Sequence, residues 1–134
     1  MIKRIFIGLI LSLVLLSGCT FNDGIIYNEV YTSKDEVALY IHTYQELPPN
    51  YITKSEAYDL GWEPSQQNLW DVTDQKSIGG DRFMNREGLL PDNTYFEADI
   101  DYQGKGRNAK RLVYSDDGDI YYTDDHYASF QELY

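Results

Sequence analysis

At 134 residues, the chain is long enough for one domain with a modest core. It carries 22 acids against 11 cations, a formal charge of −11, and so lacks the basic surface typical of nonspecific nucleic-acid binders. One cysteine and two distant histidines exclude a disulfide framework and a zinc pattern, and no repeat or low-complexity block divides the chain.

The first segment reads as a targeting signal. Lys3 and Arg4 precede an apolar run, Ile5 to Leu16, too short to span a bilayer comfortably. Leu16-Ser17-Gly18-Cys19 has the form of a bacterial lipobox. Residues 1–18 are therefore expected to be a lipoprotein signal peptide, cut before Cys19. Cys19 would then be lipidated and anchor the protein in the membrane, on the outside of the cell unless it is later clipped free. Residues 19–27 read as a tether and 28–134 as a single domain. Loss of Lys3 and Arg4 takes the charge from −11 to −13.

The first half of the domain reads as helical. Ser33 and Glu36 form a capping box, and Val37, Tyr40, Ile41 and Tyr44 then recur on one helical face, with Pro48-Pro49 as the stop. Thr53 and Glu56 form a second capping box, opening a short helix that ends near Gly61. Asn68 is placed to cap a very short helix over Leu69 to Val72. Ser77 to Gly88 reads as a glycine-rich turn with its own acid.

The second half reads as strands. In Thr94 to Asp101, Phe96, Ala98 and Ile100 point one way and Tyr95, Glu97, Asp99 and Asp101 the other, a half-buried strand with one polar face. In Ala109 to Ser115, Leu112 and Tyr114 face the core and Arg111 the opposite side. Asp116 to Asp119 is a hairpin turn into Ile120-Tyr121-Tyr122. The expected class is α+β, with N-terminal helices packed on a C-terminal antiparallel β-sheet. Alternation puts Glu97 and Arg111 on one open face of that sheet but does not make them neighbours.

A few residue types stand out against the acidic background. A carboxylate kept ionised by arginines can act as a general base, and Glu97 is a candidate, although a lone strand glutamate is more often simply solvated. Imidazolium is suited to protonate an alkoxide near neutral pH, and His126 is the candidate there, with a plain loop histidine as the alternative. Arg107, Arg111 and Lys54 could stabilise developing phosphate charge. Lys54 follows the cap Thr53 at the positive end of a helix dipole, against local preference. Asp116, Asp117 and Asp119 crowd a turn without EF-hand spacing, so no metal site is expected.

The segments Tyr51-Ile52-Thr53-Lys54-Ser55-Glu56-Ala57, Asn85-Arg86-Glu87-Gly88, Glu97-Ala98-Asp99-Ile100 and Asp125-His126-Tyr127, in that order, closely resemble the barnase-like bacterial guanyl-preferring ribonucleases. The likeness runs from about Asn28 to Tyr134. It implies the microbial ribonuclease fold and metal-independent endonucleolytic cleavage of RNA through its own 2′-hydroxyl, with no cofactor. Glu97 would be general base, His126 general acid, and Lys54, Arg107 and Arg111 the charge stabilisers. Phe83, Asn85, Arg86, Glu87 and Tyr127 would bind the base, Glu87 holding the guanine N1–H and N2–H and the backbone at Asn85 and Arg86 its O6. The implied partners are RNA and a barstar-like inhibitor protein, with the chain itself monomeric. Met84 stands where the family is expected to carry a small polar residue, and the loop Pro91 to Phe96 lacks basic residues. The charge of −13 keeps a second reading open, a weak or inactive ribonuclease-like surface lipoprotein that binds a nucleotide or protein.

Overall fold

The computed structural model describes residues 24–134. The expected signal peptide, Cys19 and most of the tether lie outside the described residues. The elements are α1 (Lys34–Tyr44), β1 (Tyr51–Ile52), α2 (Lys54–Asp59), a 3₁₀ turn (Leu69–Asp71), β2 (Ser77–Phe83), β3 (Tyr95–Asp99), β4 (Arg111–Ser115), β5 (Ile120–Thr123) and β6 (Gln131–Glu132). They form the expected α+β arrangement of the microbial ribonuclease fold, helices first and then a six-stranded sheet in the order β1 to β6. The sheet is antiparallel except for β1, which pairs parallel with β2.

The helices start where their caps predict. Ser33 Oγ accepts from the N–H of Glu36, and Thr53 makes a full capping box with Glu56. The first helix ends earlier than the Pro48-Pro49 stop suggests. Gln45 closes it at Tyr44 by taking the left-handed conformation, φ 57°, and its N–H donates to the carbonyl of Ile41. The short helix expected after Asn68 is a single 3₁₀ turn.

One apolar face of α1 fills one side of the sheet. Val37, Ala38 and Ile41 pack with Ile100, Leu112 and Ile120 in one core cluster. Tyr40 is buried beside it, stacked within a group of tyrosines that includes Tyr27 and Tyr44. A second cluster ties α2 to β2 through Ala57, Trp62, Leu69, Ile78 and Tyr102.

The segment read as a glycine-rich turn is for the most part strand β2. Its register shifts between Gly79, opposite Ala98, and Asp81, opposite Glu97. Gly80 is the extra residue, at φ +100°, a conformation that a side chain would strain. The bulge matters because strand side chains alternate. An unbroken register from Gly79 would turn Asp81 and Phe83 to the helix side; the bulge instead sets Asp81 beside Glu97 and Phe83 beside Tyr95.

The polar face of β3 is not the open surface that alternation implies. Leu90, Tyr95, Val113 and Tyr121 form a third buried cluster on that side, with Phe83, Tyr127 and Phe130 packed against it. The loops after β2 and β5 fold over the sheet and cover it.

Candidate active site

Those two loops and β3 enclose a cleft of about 630 Å³. Phe83, Asn85, Arg86, Glu87, Glu97, His126 and Tyr127 line it, so seven of the ten side chains expected in the site's chemistry share one hollow. Met84 and Leu89 add an exposed apolar rim.

Glu97 lies mid-strand on β3, between Asp81 of β2 and Val113 of β4. It is half-buried. The Tyr127 hydroxyl donates to Glu97 Oε1. Burial first, and then this bond to a carboxylate, raise the Tyr127 pKa above the ordinary tyrosine value. Tyr127 was expected only as surface against a base; its contact with the carboxylate is a further role.

His126 and Tyr127 follow β5 in a tight loop. Both take left-handed backbone, φ 56° and 76°, which ordinary residues rarely adopt. A hydrogen-bond network fixes that loop. Thr123 Oγ1 donates to Asp125 Oδ1 at 2.7 Å and accepts from the Tyr127 N–H at 3.0 Å. Asp125 also accepts from the backbone and hydroxyl of Ser129. Bonds from Ser129 and then Thr123 hold the Asp125 carboxyl down at about 2. The His126 N–H donates to Ala109 O at 3.2 Å, while its ring is exposed, 4.7 Å from the Tyr127 ring.

The loop after β2 is closed by Asn85, whose side chain donates to Leu90 O at 2.9 Å and accepts from the Leu90 N–H at 3.2 Å. Asn85 itself is left-handed, φ 52°, and its carbonyl accepts from Gly88. Between these ties Arg86 and Glu87 stand exposed, and among the described residues their backbone N–H groups have no acceptor. Phe83 stacks on Tyr127 at 5.1 Å and joins the two loops.

The three expected charge stabilisers are not lining residues of this cleft. Arg107 makes a two-pronged pair with Asp99, Nε and Nη2 each 2.7 Å from a carboxylate oxygen. That bond to Asp99 holds the Arg107 pKa above its usual value. Arg111 is buried at the start of β4 opposite Asp99, its Nη1 donating to the carbonyls of Asn108 and Lys110 at 2.8 Å. Its Nε lies 3.1 Å from Asp99 Oδ1 but off the angle of a hydrogen bond. Arg111 also adjoins the Tyr127 hydroxyl, whose charge it favours. One buried carboxylate thus holds two guanidiniums just below Glu97.

Lys54 opens α2, and its backbone N–H donates to Asp81 Oδ2 at 3.0 Å. Asp81 supplies negative charge at that helix start, which offsets the penalty of a cation there. It also stands beside Glu97 in the sheet, so Lys54 is held at the edge of the same site.

Two residues of the site, Asp99 and Asp81, were not singled out from the sequence. Asp99 was visible in the alternation, two positions from Glu97 on the same face. Asp81 was not, because only the bulge brings it there.

A cleft beside an antiparallel sheet, with a carboxylate on a central strand, an imidazole on a late loop and paired guanidiniums on a buried aspartate below, fits a class of small hydrolytic nucleases. The family described as ribonuclease matches residues 34–134. A ribonuclease of Heyndrickxia coagulans is 54% identical over 107 residues, covering 78% of this chain and 98% of the relative. A ribonuclease of Bacillus intermedius is also 54% identical over 107 residues, and there the match spans 66% of the relative. The guanyl-specific ribonuclease St of Saccharopolyspora erythraea is 45% identical over 56 residues, 39% of this chain and 55% of that one. The chain belongs to the ribonuclease family.

Proposed function

We propose that the protein is a guanyl-preferring endoribonuclease that cleaves RNA by transphosphorylation, without a metal. The observation that carries this reading is the single cleft shared by Glu97, His126 and the Phe83–Glu87 loop. Glu87 accepts the guanine N1–H and N2–H, while backbone N–H groups of the loop meet O6. Among the described residues only one Glu97 oxygen is occupied, by Tyr127, which leaves Oε2 to receive a proton.

Glu97 takes the proton of the ribose 2′-hydroxyl, and the 2′-oxygen attacks the adjacent phosphorus. His126, protonated, gives its proton to the 5′-oxygen as the P–O5′ bond breaks. The products are a 2′,3′-cyclic phosphate and a free 5′-hydroxyl. The two residues then exchange roles as water opens the ring. Arg107 and Arg111, oriented by Asp99, and Lys54 stabilise the charge gained by the phosphoryl oxygens, the kind of preorganised donation worth about 3 kcal/mol per group. DNA, lacking the 2′-hydroxyl, is inert.

The same reading makes the enzyme a monomeric lipoprotein outside the cell, anchored through Cys19. Any acidic, barstar-like inhibitor would associate slowly with so acidic a chain. Intact-mass measurement of membrane-extracted protein, beside Cys19→Ser, tests the anchor.

Cleavage is tested with GpN dinucleotides and RNA, using the wild type, Glu97→Ala and His126→Ala. Each variant should lose roughly 10²–10⁴-fold in kcat/KM, the usual worth of a general acid or base. Equal activity in all three, or none in the wild type, overturns the reading; guanosine monophosphate binding without turnover would favour a binding module instead.

A further inference from the structure

The chain joins the fold well before its first helix. Ile25 is buried, and the segment that follows is pinned in place. The Glu29 N–H donates to Ile26 O at 3.3 Å and closes a turn. The Tyr31 hydroxyl accepts from the Ile26 N–H at 2.9 Å, and the Tyr40 hydroxyl accepts from the Asn28 N–H at 2.8 Å. Asn50 brackets Tyr31, its Oδ1 accepting from the Tyr31 N–H at 3.3 Å and its Nδ2 donating to the Tyr31 carbonyl at 2.9 Å. The Tyr27 ring packs edge-on to that of Tyr44 on α1, centroids 5.0 Å apart.

Pinned in this way, the segment still leaves Ile26, Tyr27 and Val30 each more than half exposed. Three large apolar side chains on one rigid turn form a face that nothing among the described residues covers. Five residues separate Cys19 from Ile25. Fully extended, that stretch spans about 20 Å, less than the width of a domain of this size, roughly 30 Å or more. A lipid on Cys19 therefore keeps this face turned toward the bilayer.

We propose that Ile26, Tyr27 and Val30 form a bilayer-contact face, which seats in the lipid interface and turns the cleft outward. The proposal rests on the reading of Cys19 as a lipid anchor. So short a tether makes the contact intramolecular, and a few side chains then suffice where they would not hold a free protein. Tyrosine suits that depth, with its ring at the acyl boundary and its hydroxyl among the headgroups. Glu29, exposed between Tyr27 and Val30, favours a zwitterionic interface over an anionic one. Tyr27 rests on α1, and α1 covers the face of the sheet opposite the cleft. Seated on lipid, the domain presents Glu97 and His126 to the medium from which RNA arrives.

A chain that begins at Cys19 keeps every described residue, and its one thiol allows the anchor to be imposed. It is coupled to a maleimide lipid in phosphatidylcholine vesicles and compared with the same chain free in solution. Hydroxyl-radical footprinting reads Tyr27 and, at the cleft rim, Met84, each 56% exposed. On vesicles Tyr27 oxidation should fall roughly threefold or more, as for a side chain set into the headgroup boundary, while Met84 holds its rate. Ile26→Ser with Val30→Ser, both at exposed positions, should restore Tyr27 oxidation although the chain stays coupled. Protection of Tyr27 no greater than that of Met84, or protection that survives the double variant, overturns the proposal. So does protection of Tyr27 in the free chain that grows with protein concentration, which would give the face to a second copy. The intact mass of the natural protein keeps the two readings apart. No acyl chains, with Tyr27 protected on the coupled chain, removes the anchor and leaves the face. Acyl chains present, with Tyr27 unprotected, removes the face and leaves the anchor.

Discussion

The two faces of the sheet are built from the same strands, yet only one of them buries charge. On the helix side, Ile100, Leu112 and Ile120 meet Val37, Ala38 and Ile41 of α1 in an apolar layer. On the other side, next to the apolar cluster of Tyr95 and Val113, Asp99, Arg111 and Thr123 are as deeply buried, yet they are charged or polar. The first face gains free energy from burial and makes no demand on direction. On the second face every buried charge must find a partner, and the partners fix where each guanidinium points. Neighbouring residues of one strand thus serve stability and chemistry separately, Ala98 inward and Glu97 and Asp99 toward the cleft.

That division can be broken most severely at Asp99. Asp99→Asn leaves the buried Arg111 guanidinium uncompensated, and losses of about 3–5 kcal/mol are typical when one partner of a buried pair is removed. It should lower both the denaturant midpoint and kcat/KM of the folded fraction, because both arginines lose their orientation. An unchanged kcat/KM would mean that the arginines do not need Asp99 for chemistry.

Leu112→Ala probes the other face. Leu112 is fully buried in the apolar layer, and such truncations cost about 2–5 kcal/mol. Denaturant unfolding should show that loss, with kcat/KM of the folded enzyme close to wild type. A large fall in turnover would show that the two faces are coupled after all.

A smaller effect is expected at Asp125. Its carboxyl sits at about 2 in the folded protein, below the ordinary aspartate value near 4. Its contribution is therefore complete above about pH 4 and is lost as the pH falls toward 2. Thermal midpoints between pH 2 and 5 should fall less steeply in Asp125→Ala than in the wild type. Because the loop carries His126, the same variant should also lose activity at neutral pH without a global loss of structure.

The helix-side face was legible in the sequence because its signals are local and periodic. Val37, Tyr40 and Ile41 mark the helix, and Ala98 and Leu112 mark the strands, with no knowledge of partners. The cleft face was legible only in part. Alternation placed Glu97, Asp99 and Arg111 on one face without making them neighbours, and it could not show that loops would roof them, since Tyr95 and Val113 read the same whether covered or bare. The Gly79-Gly80 pair reads equally as a turn or as a bulged strand. Only pairing with β3 decides, and with it the side on which Asp81 and Phe83 fall. The meeting of His126 with Glu97's cleft depends on two consecutive left-handed residues, for which their side chains give no signal.

The central claim is that Glu97 and His126 act on one phosphodiester as a single unit. The most direct measurement is kcat/KM on a GpN dinucleotide for Glu97→Ala, His126→Ala and the double variant. Groups that work in one concerted step are strongly non-additive, so the double variant should be little slower than the worse single one. Losses that simply multiply, with each variant impaired independently of the other, would contradict the account.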